Sequence, residues 1–369
     1  MSKFIVKELF LLRSVACLAV VIIHAIYSVF VNFGIRKAPD YMEINYVLFV
    51  FQILLMFGTP MFVFISEFIL ANAYKGKVPK GFFRKRLKFI FVPFIVIGLF
   101  NTLIVTFQHN DVSSQLFFSK LYEQFVLGYF HGYFVLIIFQ FYLLHFLFTK
   151  YIDKKFNMKY VIIVSLIINI LYLGYFNFIE PNPTFPFHLL FIAWVGYFTV
   201  AYYSGKYFDK FKATLQKYKK IVIIAPFVTS FIVLLLCYSS LLTYIQSKRV
   251  DMIIHTMAMA FFLFYLGMKM KSIPRPLVKI SQYSFGIYLL HPFFFLLSQS
   301  LFTNTFSIGN LILYFVFATS LALLGSMACI YLLNQFKFGS YIVGKVGIGI
   351  KPSSPTNPHP VHHYKENSV

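Results

Sequence analysis

The chain has 369 residues, of which 59% are hydrophobic and 21% aromatic, whereas only 12% are charged. A soluble protein of this length could not bury so much apolar surface, and apolar runs of about 20 residues, enough to span a bilayer as helices, recur along it. The net charge of +22 is spread over short loops between these runs. The composition therefore excludes a soluble enzyme and a nucleic-acid-binding protein. It predicts an all-α, multi-pass protein of the cell membrane, whose basic loops meet anionic lipids.

Ten apolar spans are predicted within one transmembrane domain at residues 1–345. A tail at 346–369 is rich in Pro, Ser, Asn and His, and we expect it to be disordered. The segment 116–131 is also apolar, but Lys120 and Glu123 interrupt it, so we predict an outer interfacial or re-entrant helix there instead of an eleventh span. The predicted spans lie near 9–31, 45–72, 89–107, 132–149, 160–176, 187–204, 221–241, 251–268, 281–302 and 309–333.

The basic residues predict how the spans are oriented. With ten spans both termini share one side of the membrane, and that side holds 28 of the 33 Lys and Arg residues. The five on the other side are Arg36, Lys37, Lys120, Lys248 and Arg249. Because loops rich in Lys and Arg stay in the cytoplasm, both termini are predicted to be cytoplasmic.

The first span carries two polar side chains that are costly in a bilayer, Arg13 and His24. They are 11 residues apart, which is three helical turns plus roughly 20°, so both point the same way, separated by roughly 16 Å along the axis. Such a stripe must face a protein interior or a water-filled cavity. Taken singly, Arg13 also fits a snorkelling topology anchor and His24 an interhelical hydrogen-bonding residue. Their alignment favours a functional site.

Two later stretches support that interpretation. The segment RKRLKFIFVPF (84–94) leads from the densest basic cluster into the third span, and SQYSFGIYLLHPF (281–293) begins the ninth. The second stretch places His291 near mid-membrane, at a depth comparable with that of His24, so the two histidines could face one cavity. His291 equally fits a packing role beside Pro292. The remaining in-span histidines, His145 and His255, lie in no motif and are predicted to be structural.

Together these stretches resemble acyltransferase family 3 of membrane proteins over essentially the whole chain. Arg13 to His24 match the family's Arg-x10-His motif, and RLKFIFVP (86–93) resembles its basic start of the third span. HGYF (131–134) resembles a weaker His-x-aromatic-aromatic motif, and SFGIYLLHP (284–292) a late motif that ends in histidine. Within the family, three phrases most resemble a membrane protein of a system that makes a poly-N-acetylglucosamine surface polysaccharide of biofilms. They are FGTPMFVFIS (57–66), YFHGYFVLIIFQFYLL (129–144) and YIVGK (341–345).

The second span departs from the family pattern. Where the family often has Ser-Gly, this chain has Ser66 and Glu67. Glu67 could pair with Arg13 or Arg86, could take part in binding the acyl donor, or could form an ion pair that only stabilises the bundle. The sequence leaves these alternatives open.

The resemblance implies an integral-membrane O-acyltransferase. It would move an acyl group of acetyl or succinyl type from cytoplasmic acyl-CoA to a hydroxyl of an extracytoplasmic polysaccharide or envelope glycan, with a glycan synthase as a further candidate partner. His24 would act as general base or form an acyl-imidazole, and His291 would orient the acceptor or stabilise the oxyanion. His131 is a candidate contact for the acceptor. The candidates for binding the phosphates of the donor are Arg13, Arg84, Arg86 and Lys88, with Glu67 near them.

Two other functions compete with this one. An exporter of a poly-N-acetylglucosamine-type polysaccharide would have no need of Arg13 and His24 at a separation that matches the pantetheine arm of CoA. A non-catalytic partner of a glycan synthase would not depend on His24. No metal cofactor is predicted, because the three cysteines (Cys17, Cys237 and Cys329) all lie in different spans and no zinc motif occurs.

Overall fold

The structure is a computed structural model that describes residues 6–34, 42–74, 78–109, 112–242, 245–302 and 307–347. Across these ranges it contains helices and no strand. In chain order the α-helices are α1 (Glu8–Phe33), α2 (Met42–Leu54), α3 (Gly58–Ala73), α4 (Phe82–Arg86), α5 (Val92–Phe107), α6 (Ser114–Phe125), α7 (Phe134–Leu147), α8 (Met158–Gly174), α9 (Val195–Lys206), α10 (Phe208–Lys217), α11 (Lys219–Tyr238), α12 (Asp251–Lys269), α13 (Arg275–Leu301), α14 (Ile308–Ser320), α15 (Ser326–Gln335) and α16 (Gly339–Ile342).

Short 3-10 and π turns join several of these helices end to end. Within the described ranges this gives nine helical segments that are long and apolar enough to cross a membrane, which confirms the predicted all-α polytopic fold. The turns are Leu55–Phe57, Leu87–Phe91, His131–Tyr133, Phe148–Ile152, Tyr175–Ile179 and Leu321–Gly325. The turn Leu87–Phe91 lies just before Pro93, whose missing N–H removes one helical hydrogen bond and favours a widened turn.

The sixth predicted span, 187–204, is not one continuous helix. Two 3-10 turns, Phe187–Leu189 and Phe191–Trp194, precede the α-helical part, α9. The segment nevertheless crosses the bundle and makes a tenth passage. Phe187 stacks on Phe176 at the end of α8, with ring centroids 4.5 Å apart, while Lys206 at the other end of the segment pairs with Asp153 at 2.5 Å.

Side chains of neighbouring helices, together with Trp194 of the passage itself, bind the backbone of this broken passage. A non-helical backbone at membrane depth requires such partners, because lipid supplies none. Four side chains donate to its carbonyl groups: Tyr172 to Phe187 (2.9 Å), Trp194 to His188 (2.8 Å), Gln140 to Leu189 (2.6 Å) and Asn169 to Ala193 (2.8 Å). The side-chain oxygen of Gln140, Oε1, also accepts from the Phe191 amide at 3.0 Å. The break is therefore a built feature of the fold.

Ten passages bring both ends of the described chain to one end of the bundle. Lys7 there donates to the carbonyl of Met270 at 2.6 Å, and the Gly347 amide donates to the carbonyl of Gln282 at 3.0 Å. We call this the basic end, since it also holds the 84–88 cluster, and we call the opposite one, with the loops at 180–186 and 239–250, the far end. Which end faces the cytoplasm stays a prediction.

Helix α1 lies at the centre of the bundle. In its apolar window 72% of the residues are buried, against 22% to 61% for the other eight long segments in the described ranges. It packs against α3, α12, α13 and α14. The polar stripe of α1 therefore faces protein, as a stripe of this kind must.

The apolar segment 116–131 does not cross the bundle. Its helix, α6, has 12 residues, which is too short for a span, and is capped by Ser113, whose hydroxyl accepts from the Leu116 amide at 3.1 Å. Its two charges pair with each other, Lys120 with Glu123 at 2.9 Å. The expectation of no eleventh span here is confirmed. The predicted tail, 346–369, lies outside the described residues apart from its first two positions.

Candidate active site

Three histidines from three parts of the chain meet in the middle of the bundle. The rings of His24 and His291 are 4.8 Å apart between centroids, and those of His131 and His291 are 5.6 Å apart. The sequence predicted that His24 and His291 could face one cavity and singled out His131 on its own. The structure places them in one cluster, which we call the histidine cluster.

Backbone carbonyls fix the ring nitrogens of the cluster. His24 Nδ1 lies 2.8 Å from the carbonyl oxygen of Val20, and His291 Nδ1 lies 2.9 Å from that of Ile287. A carbonyl oxygen can only accept, so Nδ1 carries the hydrogen in both rings. In the neutral rings the lone pair is consequently on Nε2, the nitrogen that can take a proton or attack a carbonyl carbon.

The free nitrogens of the cluster differ in access. His291 is fully buried and its Nε2 has no hydrogen-bond partner, whereas the His24 side chain is only half-buried. His131 is held the other way round, since its Nε2 is 3.1 Å from the carbonyl oxygen of Leu289 and Nδ1 keeps the lone pair. A buried, unpartnered nitrogen requires an explanation, and a bound ligand is one.

Local sequence explains how α13 presents His291. Pro292 follows it inside the helix and has no N–H, so the carbonyl of Tyr288 loses its helical donor. The Tyr288 hydroxyl donates to the backbone carbonyl of His131, which ties α13 to the 3-10 turn His131–Tyr133. The late motif at 284–292 thus supplies both His291 and Tyr288, the tyrosine that positions His131.

A cavity of about 110 Å³ lies between the histidine cluster and the basic end. It has room for about four waters, which is too little for a whole acyl-CoA but enough for one end of it. The lining residues with polar groups are Arg13, Ser66, Arg86, Tyr142, Ser284 and Tyr288, and the others are apolar. Arg86 is held by aromatic rings, with its guanidinium carbon 5.2 Å from the centroid of Tyr142 and 5.3 Å from that of Phe82.

Three packed aromatic side chains line the cavity, and one of them also contacts the histidine cluster. None of the three histidines is among the residues that line the cavity. Tyr288 belongs to both regions: it lines the cavity, and its ring centroid is 6.0 Å from that of His131. The rings of Phe62 and Phe134 pack on Tyr288 at 6.5 and 5.9 Å. We call these three residues the aromatic partition.

Of the four predicted phosphate-binding residues, only Arg13 and Arg86 line the cavity. Arg84 and Lys88 are exposed at the basic end. Lys88 stands over the ring of Tyr341, with Nζ 4.7 Å from the centroid. Arg13 and Arg86 can therefore bind a ligand inside the cavity. Arg84 and Lys88 can bind only a ligand that extends out of it.

The partner of Glu67 is His145, where the sequence had offered Arg13 or Arg86. His145 Nδ1 lies 2.7 Å from Glu67 Oε1, and both side chains are buried. A carboxyl group buried away from water is stable only when it is paired or hydrogen-bonded, which is the physical reason for this contact. Glu67 does not line the cavity, and its suggested part in binding the donor stays a prediction.

The sequence did not single out Tyr142 or Tyr288. Tyr288 stands inside the late motif and Tyr142 inside the phrase at 129–144, so both could have been found by asking which polar groups flank the histidine and arginine positions. Among the residues that the structure describes, no group of three or more His, Cys, Asp or Glu is placed to hold a metal ion.

Known proteins resemble this chain along most of its length. The family model described as "Acyltransferase domain" matches residues 6–331. YfiQ of Bacillus subtilis (strain 168), provisionally named a membrane-bound acyltransferase, is 38% identical over 352 residues, which cover 92% of this chain and 95% of YfiQ. No solved structure gives a significant match.

A second group of relatives carries another name, "probable poly-beta-1,6-N-acetyl-D-glucosamine export protein". The Staphylococcus aureus (strain Mu50 / ATCC 700699) protein is 27% identical over 363 residues, covering 93% of this chain and 97% of its own. The Staphylococcus epidermidis protein is 27% identical over 351 residues, covering 92% and 94%. These agree with the resemblance of residues 57–66, 129–144 and 341–345 to intercellular adhesion protein C, although YfiQ is the more similar relative of the two kinds. The chain thus belongs to acyltransferase family 3 and is a multi-pass membrane acyltransferase.

Proposed function

We propose that the protein is an O-acyltransferase that takes an acetyl-type acyl group from acyl-CoA at the basic end and transfers it to a hydroxyl of a glycan at the far end. The observation that carries the proposal is Tyr288. It forms a wall of the arginine-lined cavity and also contacts the histidine cluster, so the two regions are neighbours across one side chain.

The donor is bound through its charge and its length. Arg13 and Arg86 both line the cavity. Each guanidinium group can bind two phosphate oxygens at once. The mostly apolar lining suits the pantetheine arm, while the nucleotide stays at the basic end near Arg84 and Lys88. The arm is of the same order of length as the roughly 16 Å that separates Arg13 from His24 along α1.

The thioester reaches the histidines only when the aromatic partition moves aside. Phe62, Phe134 and Tyr288 pack together and all line the cavity, and Tyr288 also contacts the cluster. A closed partition keeps water from the thioester until the arm enters, which limits hydrolysis. The partition is thus a device for admitting the donor.

The reaction needs one base. As the glycan hydroxyl attacks the thioester carbon, His24 Nε2 takes its proton, the C–O bond forms and the C–S bond breaks. The thiolate that leaves takes up the proton, which returns His24 to its neutral state. If Nε2 attacks first, the C–S bond breaks, the thiolate leaves and an acyl-imidazole forms; the hydroxyl then displaces the imidazole, and its proton goes to the thiolate. His291 Nε2, an acceptor in the neutral ring, suits holding the incoming hydroxyl, and His131 borders the same space.

The proposal is tested by acyl transfer from radiolabelled acetyl-CoA to glycan in membranes that contain the protein. His24→Ala is the test variant, and His109→Ala, an exposed histidine at the far end, is the matched control. We expect background transfer in the first and normal transfer in the second. Normal transfer by a well-inserted His24→Ala protein would remove His24 from the chemistry.

Export of a poly-N-acetylglucosamine-type polysaccharide is the second candidate, and the names of the staphylococcal relatives favour it. The same cells separate the two functions. Cells with a variant defective in acyl transfer still export the glycan, which then carries fewer acyl groups per sugar. An export-defective variant retains glycan inside the cell, and the acyl groups per sugar exported do not change.

A further inference from the structure

Lys248 is an unusual lysine for its place in the fold. It lies in the loop between α11 and α12, at the far end, where the sequence places only five of the 33 Lys and Arg residues. Loops on the predicted outer side of a membrane protein carry few basic residues. The position of Lys248 at this end therefore requires a separate explanation.

The other far-end cations of the described residues have acidic partners. Lys120 pairs with Glu123 at 2.9 Å. Arg249 holds Asp251 in two hydrogen bonds of 2.6 and 3.0 Å, with both side chains buried. For Lys248, no carboxylate of the described residues lies within 4.0 Å of its ammonium group. Its charge is not neutralised by the protein.

Aromatic rings surround the Lys248 ammonium. Nζ is 5.7 Å from the ring centroid of Tyr133 and 5.9 Å from that of Phe187. The ring of His188 packs edge-on against Tyr133 at 5.1 Å. Aromatic faces of this kind stabilise a cation and also offer flat surfaces for a sugar ring.

The backbone at Lys248 is held in place. The Asn177 side chain donates to the Lys248 carbonyl at 3.3 Å and accepts from the Val250 amide at 2.8 Å. Phe187 and His188 belong to the broken passage, whose backbone groups are bound by side chains. Discontinuous membrane passages frequently form ligand sites, because their irregular backbone lies against a cavity.

The site adjoins the histidine cluster. Tyr133, which faces Lys248, and His131, which contacts His291, belong to one 3-10 turn, His131–Tyr133. A group bound at Lys248 thus belongs to a molecule that can reach the proposed reaction site from the far end.

We propose that Lys248, held beside the rings of Tyr133 and Phe187, binds an anionic group of the glycan acceptor, either a carboxylate or a phosphate. The inference rests on the proposed function and adds a substrate class to it: the acceptor is an anionic glycan, and a neutral or amino-sugar polymer lacks the group that Lys248 binds. Burial of the ammonium also lowers the pKa of Lys248 to about 8, which shows how incompletely its charge is solvated before a ligand arrives.

The test is binding of three fluorescent oligosaccharides of equal length to the purified protein. One carries uronic-acid carboxylates, one carries phosphodiesters, and one is a neutral β-1,6-linked N-acetylglucosamine oligomer. Lys248→Gln should weaken binding of at least one anionic oligosaccharide about tenfold and leave the neutral one unchanged. Whichever anionic oligosaccharide is affected identifies the group.

Two variants serve as controls. Lys248→Arg keeps the charge and should restore most of the affinity, while Lys120→Gln removes a charge of the same sign from the same end and should have no effect. Equal losses for neutral and anionic oligosaccharides, or no binding of either anionic one to the unaltered protein, would overturn the inference. The proposed acyl transfer would survive that result, since it depends on His24 and is measured with acetyl-CoA.

Discussion

Two sets of histidines lie inside the same bundle, and they are held in different ways. His24, His131 and His291 each bind one backbone carbonyl and leave the second ring nitrogen without a protein hydrogen bond. His255 has partners for both nitrogens, Thr229 Oγ1 at 3.0 Å and the Leu54 carbonyl at 3.1 Å, and His145 pairs with Glu67. Burial alone does not separate the sets. An unused ring nitrogen does not separate them either, because the buried Nε2 of His145 also lacks a hydrogen-bond partner. What separates them is that the rings of His24, His131 and His291 lie against one another, whereas His145 is bound by a carboxylate.

The sharpest way to break this comparison is His24→Ala. If the unused Nε2 performs the proton transfer, acyl transfer should fall by a factor of about 100 or more. A small neutral side chain fits a membrane helix, so insertion and folding should persist. Measuring transfer at rising acetyl-CoA concentrations completes the test, because donor cannot replace a missing base. Rescue at high donor concentration would mean that His24 acts in binding instead.

Arg86→Gln should have the next largest effect. An uncharged amide cannot form the paired, charged contact with phosphate, so we expect the KM for acetyl-CoA to rise about tenfold with little change in kcat. Lys85→Gln makes the same change of charge at an exposed neighbour and should leave the KM within twofold. A similar rise in both variants would show a general surface-charge effect and would remove Arg86 from the cavity site.

The sequence predicted most of the membrane architecture for a simple reason. Length and apolarity decide whether a segment spans a bilayer, and both can be read directly, as for α1 and α6. The register of Arg13 and His24 followed from helix geometry. The aromatic partition could not be predicted, because aromatic residues are 21% of the chain and only their packing distinguishes Tyr288 from the rest.

The broken passage and the Glu67 pair were missed for a different reason. Residues 187–204 are apolar enough for a helix, and what permits the break is a set of side chains on other helices, such as Gln140 and Asn169. The partner of Glu67 depends on which face of α7 meets α3. Both are tertiary effects that override local pattern, and neither leaves a signal within one segment.

Lys248 offers a pH-dependent test at the far end. Burial lowers the pKa of its ammonium to about 8, so the group is charged below that pH and loses its charge as the pH rises through it. Affinity for the anionic oligosaccharide should therefore fall several-fold between pH 7 and pH 9. The neutral oligosaccharide should show no such change.

The groups facing Lys248 could contribute to that profile. They are the His188 and Tyr133 rings. Lys248→Arg distinguishes them, since an arginine stays charged throughout this range and should flatten the profile. A profile that persists in this variant would assign the titration to His188 or Tyr133.

The smallest effect on catalysis is expected at Glu67, and it tests the other side of the comparison. Glu67→Gln removes the charge opposite His145 in a buried pair, so it should lower the free energy of unfolding by about 1–3 kcal/mol. The exposed pair gives the control: Glu123→Gln should cost no more than about 1 kcal/mol. Thermal unfolding of the purified proteins measures both. Because Glu67 does not line the cavity, kcat and the KM for acetyl-CoA should stay unchanged in the folded fraction. A raised KM for acetyl-CoA would instead assign Glu67 to donor binding, and the Glu67–His145 pair would then belong to the functional site.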